Sequence, residues 1–227
     1  PFGWEVKTLS SLIGQDKTGD WGKDEPEGNY TLQVSCIRGT DINGLNGIGT
    51  AKPPTRLILE KNANKILSPY DIIIEISGGS PTQSTGRLAF ITERTSERFS
   101  NPLICSNFCK ALSLKQNLFV YWFIYLWKSV YDNGILFNWE GKTSGIKNLL
   151  FEAFSEHYRV PLPPDKIAQQ FSSCISPLQE KKDAILQENQ ELAELRDWLL
   201  PMLINGQVTV EGGNSVNPQW LNPDDID

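Results

Sequence analysis

A regular apolar stripe runs along the C-terminal part of the chain. It recurs every seven residues, and the positions between its members are largely Glu, Lys, Gln and Asn; its members are Phe171, Leu178, Ile185, Leu192 and Leu199. This spacing predicts a long helix within residues 161–210 that carries one narrow apolar face. A face this narrow is typical of helices that pack against a partner helix. We therefore expect the helix to connect parts of an assembly rather than to form core.

A second, weaker seam lies three residues before each stripe member after the first. Its members are mostly polar: Ile175, Lys182, Asn189 and Arg196. A polar residue such as Asn189 in a helical seam costs stability, but it fixes the register and the choice of partner. The predicted helix interface therefore comprises Asn189 together with the apolar stripe.

Two prolines, Pro177 and Pro201, lie within the pattern of this helix. Pro177 lacks an N–H and lies inside the pattern, so the sequence predicts a kink or a fresh helix start there, with Ser176 as N-cap. Pro201 and the Asn205-Gly206 pair are expected to supply the far end.

The first 160 residues show a different pattern. Short apolar runs bounded by turn residues predict strands at 30–37, 55–59, 71–77, 87–92 and 103–106. Residues 117–132 are apolar nearly all round, which predicts a mostly buried helix whose aromatic residues form core. These elements predict a mixed α/β (α+β) globular domain over 1–160, followed by the long helix. The Asn-, Gly-, Pro- and Asp-rich stretch 211–227 is expected to be disordered.

The charge also differs between residues 1–160 and residues 161–227. Residues 1–160 carry 17 Lys and Arg against 16 Asp and Glu, whereas residues 161–227 carry 4 against 11, within a total net charge of −6. A generic polyanion binder would show a basic excess over the whole chain. The acidic residues are concentrated in the helix and tail, so the first part remains compatible with DNA binding.

The loop 78–87, GGSPTQSTGR, carries the candidate chemistry. It lacks the Gly-Lys-Ser/Thr ending of a phosphate loop, so ATP binding is not expected. Its small polar side chains beside an arginine suit contact with phosphates and base edges; they are Ser80, Thr82, Gln83, Ser84, Thr85 and Arg87. Arg87 could pair with guanine and Gln83 with adenine. A solvated hairpin loop has the same composition, so both interpretations stay open.

A basic surface is the second candidate. In the segment that follows the loop, basic residues outnumber Glu93 and Glu97: Arg87, Arg94, Arg98, Lys110, Lys115 and Lys128. Four more basic residues would join them only if the fold brings their loops together: Lys52, Arg56, Lys142 and Lys147. Ordinary solvated side chains are the alternative.

The sequence gives little support for a metal site or for a hydrolase active site. His157 is the only histidine, and no Gly-x-Ser-x-Gly motif accompanies it. The four cysteines show neither a CxxC pair nor zinc-site spacing, which favours reduced cytosolic thiols and no bound metal.

The helix carries a resemblance to a known family. The run QENQELAELRDWLLPMLINGQVTV over 187–210 closely resembles the end of the specificity subunits of type I restriction-modification systems. In that family a similar helix follows a Pro-Leu-Pro-Pro segment, here 161–164, and a target recognition domain. The similarity extends from about Trp4 to Val210 and is looser before the helix. The chain begins at Pro1 rather than Met, so we read it as a fragment or a processed chain that lacks an upstream half.

The resemblance implies a non-catalytic reader of double-stranded DNA. Such a domain reads one half of a bipartite target, and its helix holds methyltransferase (modification) subunits. These partners would carry S-adenosylmethionine, and a restriction subunit would use ATP and Mg²⁺; no cofactor is expected on this chain. A second recognition domain or a second copy would pair through the helix. One alternative is an enzyme acting on DNA, either a nuclease or an adenine methyltransferase. The methyltransferase would need an Asn/Asp-Pro-Pro-aromatic segment, which the sequence lacks. The other alternative is a helical scaffold without DNA binding.

Overall fold

The computed structural model describes residues 3–78, 82–143 and 146–208, with only the backbone at 142 and 143. Ser80 and the expected tail at 211–227 lie outside the described residues. The strands are β1 Glu5–Thr8, β2 Ile13–Thr18, β3 Tyr30–Ile37, β4 Thr55–Leu59, β5 Ile72–Glu75, β6 Ser77–Gly78, β7 Leu88–Phe90, β8 Leu103–Cys105, β9 Cys109–Leu114, β10 Glu140–Thr143, β11 Ile146–Leu149 and β12 Arg159–Leu162. The α-helices are α1 Leu9–Leu12, α2 Ile42–Leu45, α3 Glu93–Glu97, α4 Val120–Asp132, α5 Phe151–His157 and α6 Asp165–Ile204. The predicted mixed α/β domain followed by a long helix is confirmed.

A four-stranded antiparallel sheet in the order β2-β9-β5-β7 lies at the centre of the domain. Successive side chains of a strand point to opposite faces. Ile72 and Ile74 of β5 pack with the aromatic residues of α4, whereas Ile73 packs with residues of β3 and β8. All three isoleucines are fully buried. The strand predicted at 71–77 is present as β5 and the short β6 that follows it, and both faces of β5 are buried.

Three smaller sheets surround this centre. One has the order β4-β3-β8, with β3 antiparallel to β4 and parallel to β8. A second, β10-β11-β6, lies beside the polar loop. In the third, β1 pairs antiparallel with β12, so that Glu5 lies opposite Leu162 and Thr8 opposite Arg159. The entry and exit of the domain are thus joined by one two-stranded ladder.

Helix α4 confirms the predicted buried helix. Its buried residues Val120, Phe123, Trp127 and Val130 follow helical spacing and pack on the central sheet. Asn133 and Gly134 end the helix, and Gly134 has a φ of 70°. Helical spacing therefore accounts for Phe123 and Trp127 as core; Trp122 and Tyr131 are half-buried against that core, and Tyr125 is 48% exposed.

Helix α6 runs without interruption over 40 residues, including Pro177 and Pro201. The predicted fresh start at Pro177 was wrong. A proline removes one helical hydrogen bond, but the remaining ladder and packing on either side hold the helix. Tyr125 contacts Phe171 at a ring-centroid distance of 5.6 Å, and Thr92 Oγ1 donates to Asp183 Oδ2 at 2.7 Å.

The end of α6 follows the expected Gly signal rather than Pro201. Gly206 adopts a φ of 66° and its N–H donates to the Leu203 carbonyl, while Gln207 N–H donates to the Met202 carbonyl at 2.9 Å. This is the Schellman arrangement, which satisfies carbonyls at a helix end. The Asn205-Gly206 stop is confirmed.

The chain divides into two compact units, one ending at Gln187 and the other beginning at Glu188. The first unit includes the part of α6 that carries Ala168 and Asp183, both buried. Within the described ranges, none of the helices is long and apolar enough to cross a bilayer.

Candidate functional site

A cleft of about 870 Å³ opens where three connections of the first unit meet. They are the turn after β3, the turn between β8 and β9, and the polar loop that leads into β7. The cleft brings together several residues of the predicted loop site: Gln83, Ser84, Thr85 and Arg87. It thus collects one group of the predicted DNA-contacting residues in one place.

A buried carboxylate holds the loop in its shape. Glu140 Oε1 accepts hydrogen bonds from Thr85 N–H at 2.7 Å, Thr85 Oγ1 at 3.1 Å and Ser84 Oγ at 3.0 Å. Ser84 and Thr85 are themselves buried. Their hydroxyl groups are therefore committed to the loop, and they form the floor of the cleft rather than its contact surface.

Glu140 is stabilised as an anion. Burial works against its charged form, but hydrogen bonds from Thr85, Ser84 and Lys147 outweigh burial and hold its pKa below the ordinary 4.5. Lys147 Nζ lies 3.2 Å from Glu140 Oε2 and donates to the Gln83 carbonyl at 3.2 Å. Lys147, one of the predicted basic residues, thus stabilises the loop through contacts inside the domain.

Replacing Glu140 with Gln tests this arrangement. An amide presents a donor where the carboxylate accepts, so we expect the free energy of unfolding at pH 7 to fall by about 1–3 kcal/mol. A lowered carboxylate pKa stabilises the fold above pH 4.5, and this contribution is lost as pH falls through the lowered value. Urea unfolding from pH 7 to pH 3 should therefore show a shallower loss for the variant than for the wild type.

The exposed residue Glu25 provides the matched control for this change. Glu25→Gln alters the charge identically without removing a buried acceptor, so the free energy of unfolding should stay close to the wild-type value. Equal effects of the two substitutions would contradict the role assigned to Glu140.

The core of the domain also fixes the loop. Trp127 Nε1 donates to the Gly86 carbonyl at 2.7 Å, and Tyr131 OH donates to the Ser84 carbonyl at 3.3 Å. Gly86 has a φ of 102°, and a Cβ there would lie 2.3 Å from Leu136 Cδ1. Only glycine fits this close approach. Burial raises the Tyr131 pKa, partly offset by a hydrogen bond with the Gln83 side chain.

Arg87 is engaged inside the cleft. Its Nε and Nη2 donate to the two oxygens of Glu75 at 2.8 and 2.6 Å, and this hydrogen bonding raises the Arg87 pKa. The side chains are 15% and 7% exposed. A bidentate pair with guanine, as the sequence predicts, would require Arg87 to leave Glu75. This residue thus helps to build the floor.

The rim presents exposed side chains that sequence reasoning missed. They are Trp21, Thr40, Asn107, Phe108 and Ile146. Phe108 is 52% exposed. One sequence signal could have identified Asn107 and Phe108 as candidate contact residues. They lie in the short turn between the runs 103–105 and 109–114, and loop tips carry contacts in many binding domains.

Two further cations border the rim in fixed positions. Arg38 donates to Asp41 through Nε at 2.9 Å and Nη2 at 3.1 Å. The Arg56 guanidinium lies 4.4 Å from the centre of the Trp21 ring, and Asp24 pairs with it. Both cations are therefore held by the domain's own carboxylates.

The remaining predicted basic residues lie elsewhere. Arg94 and Arg98 belong to α3 and its C-cap, on the side where α3 meets α6. Lys110 is 8% exposed between Asp16 at 2.8 Å and Glu152 at 2.6 Å. Only the backbone of Lys142 is described. The cleft does not gather Arg94, Arg98 and Lys110.

The predicted helix interface is partly exposed. Leu178, Ile185 and Leu192 expose 61%, 45% and 56% of their surfaces. Asn189 is exposed too, Leu199 is half-buried, and Phe171 packs on Tyr125. Exposed apolar side chains at a seven-residue spacing are the arrangement that a partner helix would cover.

Among the described residues, no cluster of His, Cys, Asp and Glu could hold a metal ion. Burial raises the pKa of Cys36, Cys105 and Cys109 to about 12. Those three thiols therefore stay protonated near neutral pH and are unsuited to nucleophilic attack.

Comparison with known proteins gives one family. Residues 1–195 match the family described as the type I restriction modification DNA specificity domain. No curated protein matched the chain.

Two solved structures share the fold. One is a chain from a structural study of complex assembly and conformational transition of the type I R-M system, with a TM-score of 0.51 and 16% identity, covering 92% of this chain and 47% of its own. The other is the type I restriction-modification system S subunit from M. genitalium, with a TM-score of 0.55 and 17% identity, covering 89% of this chain and 46% of its own. The chain therefore spans about half the length of these two structures.

Proposed function

The chain belongs to the family of type I restriction modification DNA specificity domains, and we propose on this basis that it reads one half of a bipartite DNA target. In this proposal residues 1–160 form the target recognition domain, and the helix within 161–210 docks the methyltransferase subunits. The chain itself is non-catalytic. Methyl transfer, ATP hydrolysis and cleavage belong to partner subunits.

The cleft is the observation that carries the proposal. Its floor consists of the Glu75–Arg87 pair and the Glu140-bound loop, whose polar groups are satisfied internally. Its rim carries exposed amide, hydroxyl and aromatic side chains, which are the groups that contact base edges. A rigid floor with an exposed rim is the arrangement expected of a reading surface.

The stripe on α6 supports the second half of the proposal. Leu178, Ile185 and Leu192 offer apolar contacts, and Asn189 offers one polar contact that would fix the register. The partner is either a second recognition domain in a longer subunit or a second copy of this chain. Both would place two reading domains on one duplex.

Selection from a randomised duplex library tests the reading function. The chain, alone and with its modification subunits, is mixed with the library at moderate salt, and the bound duplexes are sequenced. We expect enrichment of a motif of a few base pairs, repeated if two copies bind. No enrichment in either arrangement would contradict target reading and leave a helical scaffold.

Salt dependence gives an independent prediction. Phosphate contacts release counterions, so the logarithm of the association constant should fall linearly with the logarithm of salt concentration. The near-neutral charge of residues 1–160 implies few such contacts. We expect a slope corresponding to about 2–5 phosphate contacts by fluorescence anisotropy. A slope near zero for the selected duplex would contradict direct DNA contact.

A further inference from the structure

Most polar side chains of the cleft are already engaged. Arg87 pairs with Glu75, Ser84 and Thr85 bind Glu140, and Ser77 Oγ donates to Asn148 Oδ1 at 2.6 Å. Reading a base requires a group whose hydrogen-bonding capacity is still available. These side chains would have to give up internal hydrogen bonds in order to read a base.

Asn107 differs from them. Its side chain is exposed in the cleft, and in the described part of the chain no hydrogen bond holds its amide. A primary amide offers one acceptor and two donor hydrogens in a plane. Asn107 is thus a two-sided hydrogen-bonding group at the mouth of the cleft.

The backbone that carries Asn107 is firmly held. Cys109 N–H donates to the Ser106 carbonyl at 2.9 Å and closes a tight turn. Ser106 N–H donates to the Ile37 carbonyl at 2.8 Å. The Phe108 carbonyl accepts from Ile76 N–H at 2.9 Å and from Ser77 N–H at 3.1 Å. The turn is anchored to β3 on one side and to the β5–β6 segment on the other. A fixed backbone lowers the entropic cost of placing the amide against a ligand.

We propose that Asn107 reads an adenine of the target, a statement that rests on the proposed DNA-reading function. Its Oδ1 accepts from adenine N6–H and its Nδ2 donates to N7, the bidentate pair that an amide makes in the major groove. Phe108 follows it on the same turn and is 52% exposed. It contacts the C5-methyl group of a neighbouring thymine.

The test compares the motifs selected by the wild-type chain and by two variants, each with its modification subunits. Asn107→Ala removes both hydrogen bonds, so one adenine position of the motif should become degenerate. Affinity for the wild-type duplex should fall roughly ten- to a hundredfold. The other positions should stay as they are.

Asn107→Asp makes a sharper prediction. A carboxylate accepts from cytosine N4–H and cannot donate to adenine N7, so the same position should change from adenine to cytosine. Asp is accepted in tight turns, so the turn should survive this change. Circular dichroism and thermal unfolding should match the wild type for both variants.

Asn29 provides the matched control. It is exposed and lines a separate groove with Thr31 and Leu59. Asn29→Ala and Asn29→Asp make the same chemical changes away from the cleft, so the selected motif should not change.

The outcomes separate the two proposals. If the wild type selects a motif and both Asn107 variants select it unchanged, the assignment of Asn107 is overturned while target reading stands. If the wild type selects no motif, target reading itself is overturned, and the assignment of Asn107 with it.

Discussion

Replacing Glu75 with Ala should lower the free energy of unfolding by about 3–5 kcal/mol. The substitution leaves the Arg87 guanidinium in a site where its side chain is only 15% exposed, without the two carboxylate oxygens that now accept from it. An unpaired buried charge is among the costliest defects in a folded domain. Urea unfolding at pH 7, followed by tryptophan fluorescence, measures the loss.

Two further variants show whether the pair itself is responsible. Glu75→Met with Arg87→Met removes both charges and should recover much of the lost stability, because apolar side chains of similar length can replace a buried pair. Asp132→Ala breaks the exposed pair with Lys128, in which the side chains are 53% and 67% exposed, and should have little effect. A loss for Glu75→Ala as small as that for Asp132→Ala would show that the buried Glu75–Arg87 pair does not stabilise the fold.

Replacing Leu192 with Asp should weaken assembly through α6 by about a hundredfold or more in the dissociation constant. Leu192 is 56% exposed, so the charge is tolerated in the isolated chain. In an assembled seam it would lie without a partner among apolar side chains. Light scattering of the chain, alone and with modification subunits, measures the association.

Gln190→Asp is the control for the helix. It adds the same charge two residues away, on another face, where Gln190 Nε2 donates to Glu194 Oε1 at 3.1 Å. Assembly should persist in this variant. Unchanged association of Leu192→Asp would instead show that the stripe is not the interface.

The fold was largely predictable where one local pattern determines an element. Strands 30–37 and 55–59 agree with the structure to the residue, because turn residues bound short β-rich runs. The fresh helix start predicted at Pro177 was wrong because the local rule for proline ignores the tertiary contacts that hold α6 on both sides of it. Propensity is a weak guide when packing opposes it.

The site was only partly predictable. The loop 78–87 was predicted as a candidate site from its composition, yet the roles of Ser84, Thr85 and Arg87 depend on Glu140 and Glu75. Glu140 lies 55 residues from Thr85 along the chain, so no local pattern connects them. Whether a polar side chain faces a partner or solvent is decided by such long-range pairing. The proposed role of Asn107 was not predictable from the sequence for the same reason.

The ladder between β1 and β12 makes residues 9–158 a graftable cassette. Because Glu5–Thr8 and Arg159–Leu162 lie side by side, the segment between them leaves and re-enters the chain at one place. Recombination at these two strands would exchange one proposed reading domain for another without lengthening the helix. Under the proposed function, new specificities would then arise by exchange of the whole segment, and the helix proposed to dock the partner subunits would stay unchanged.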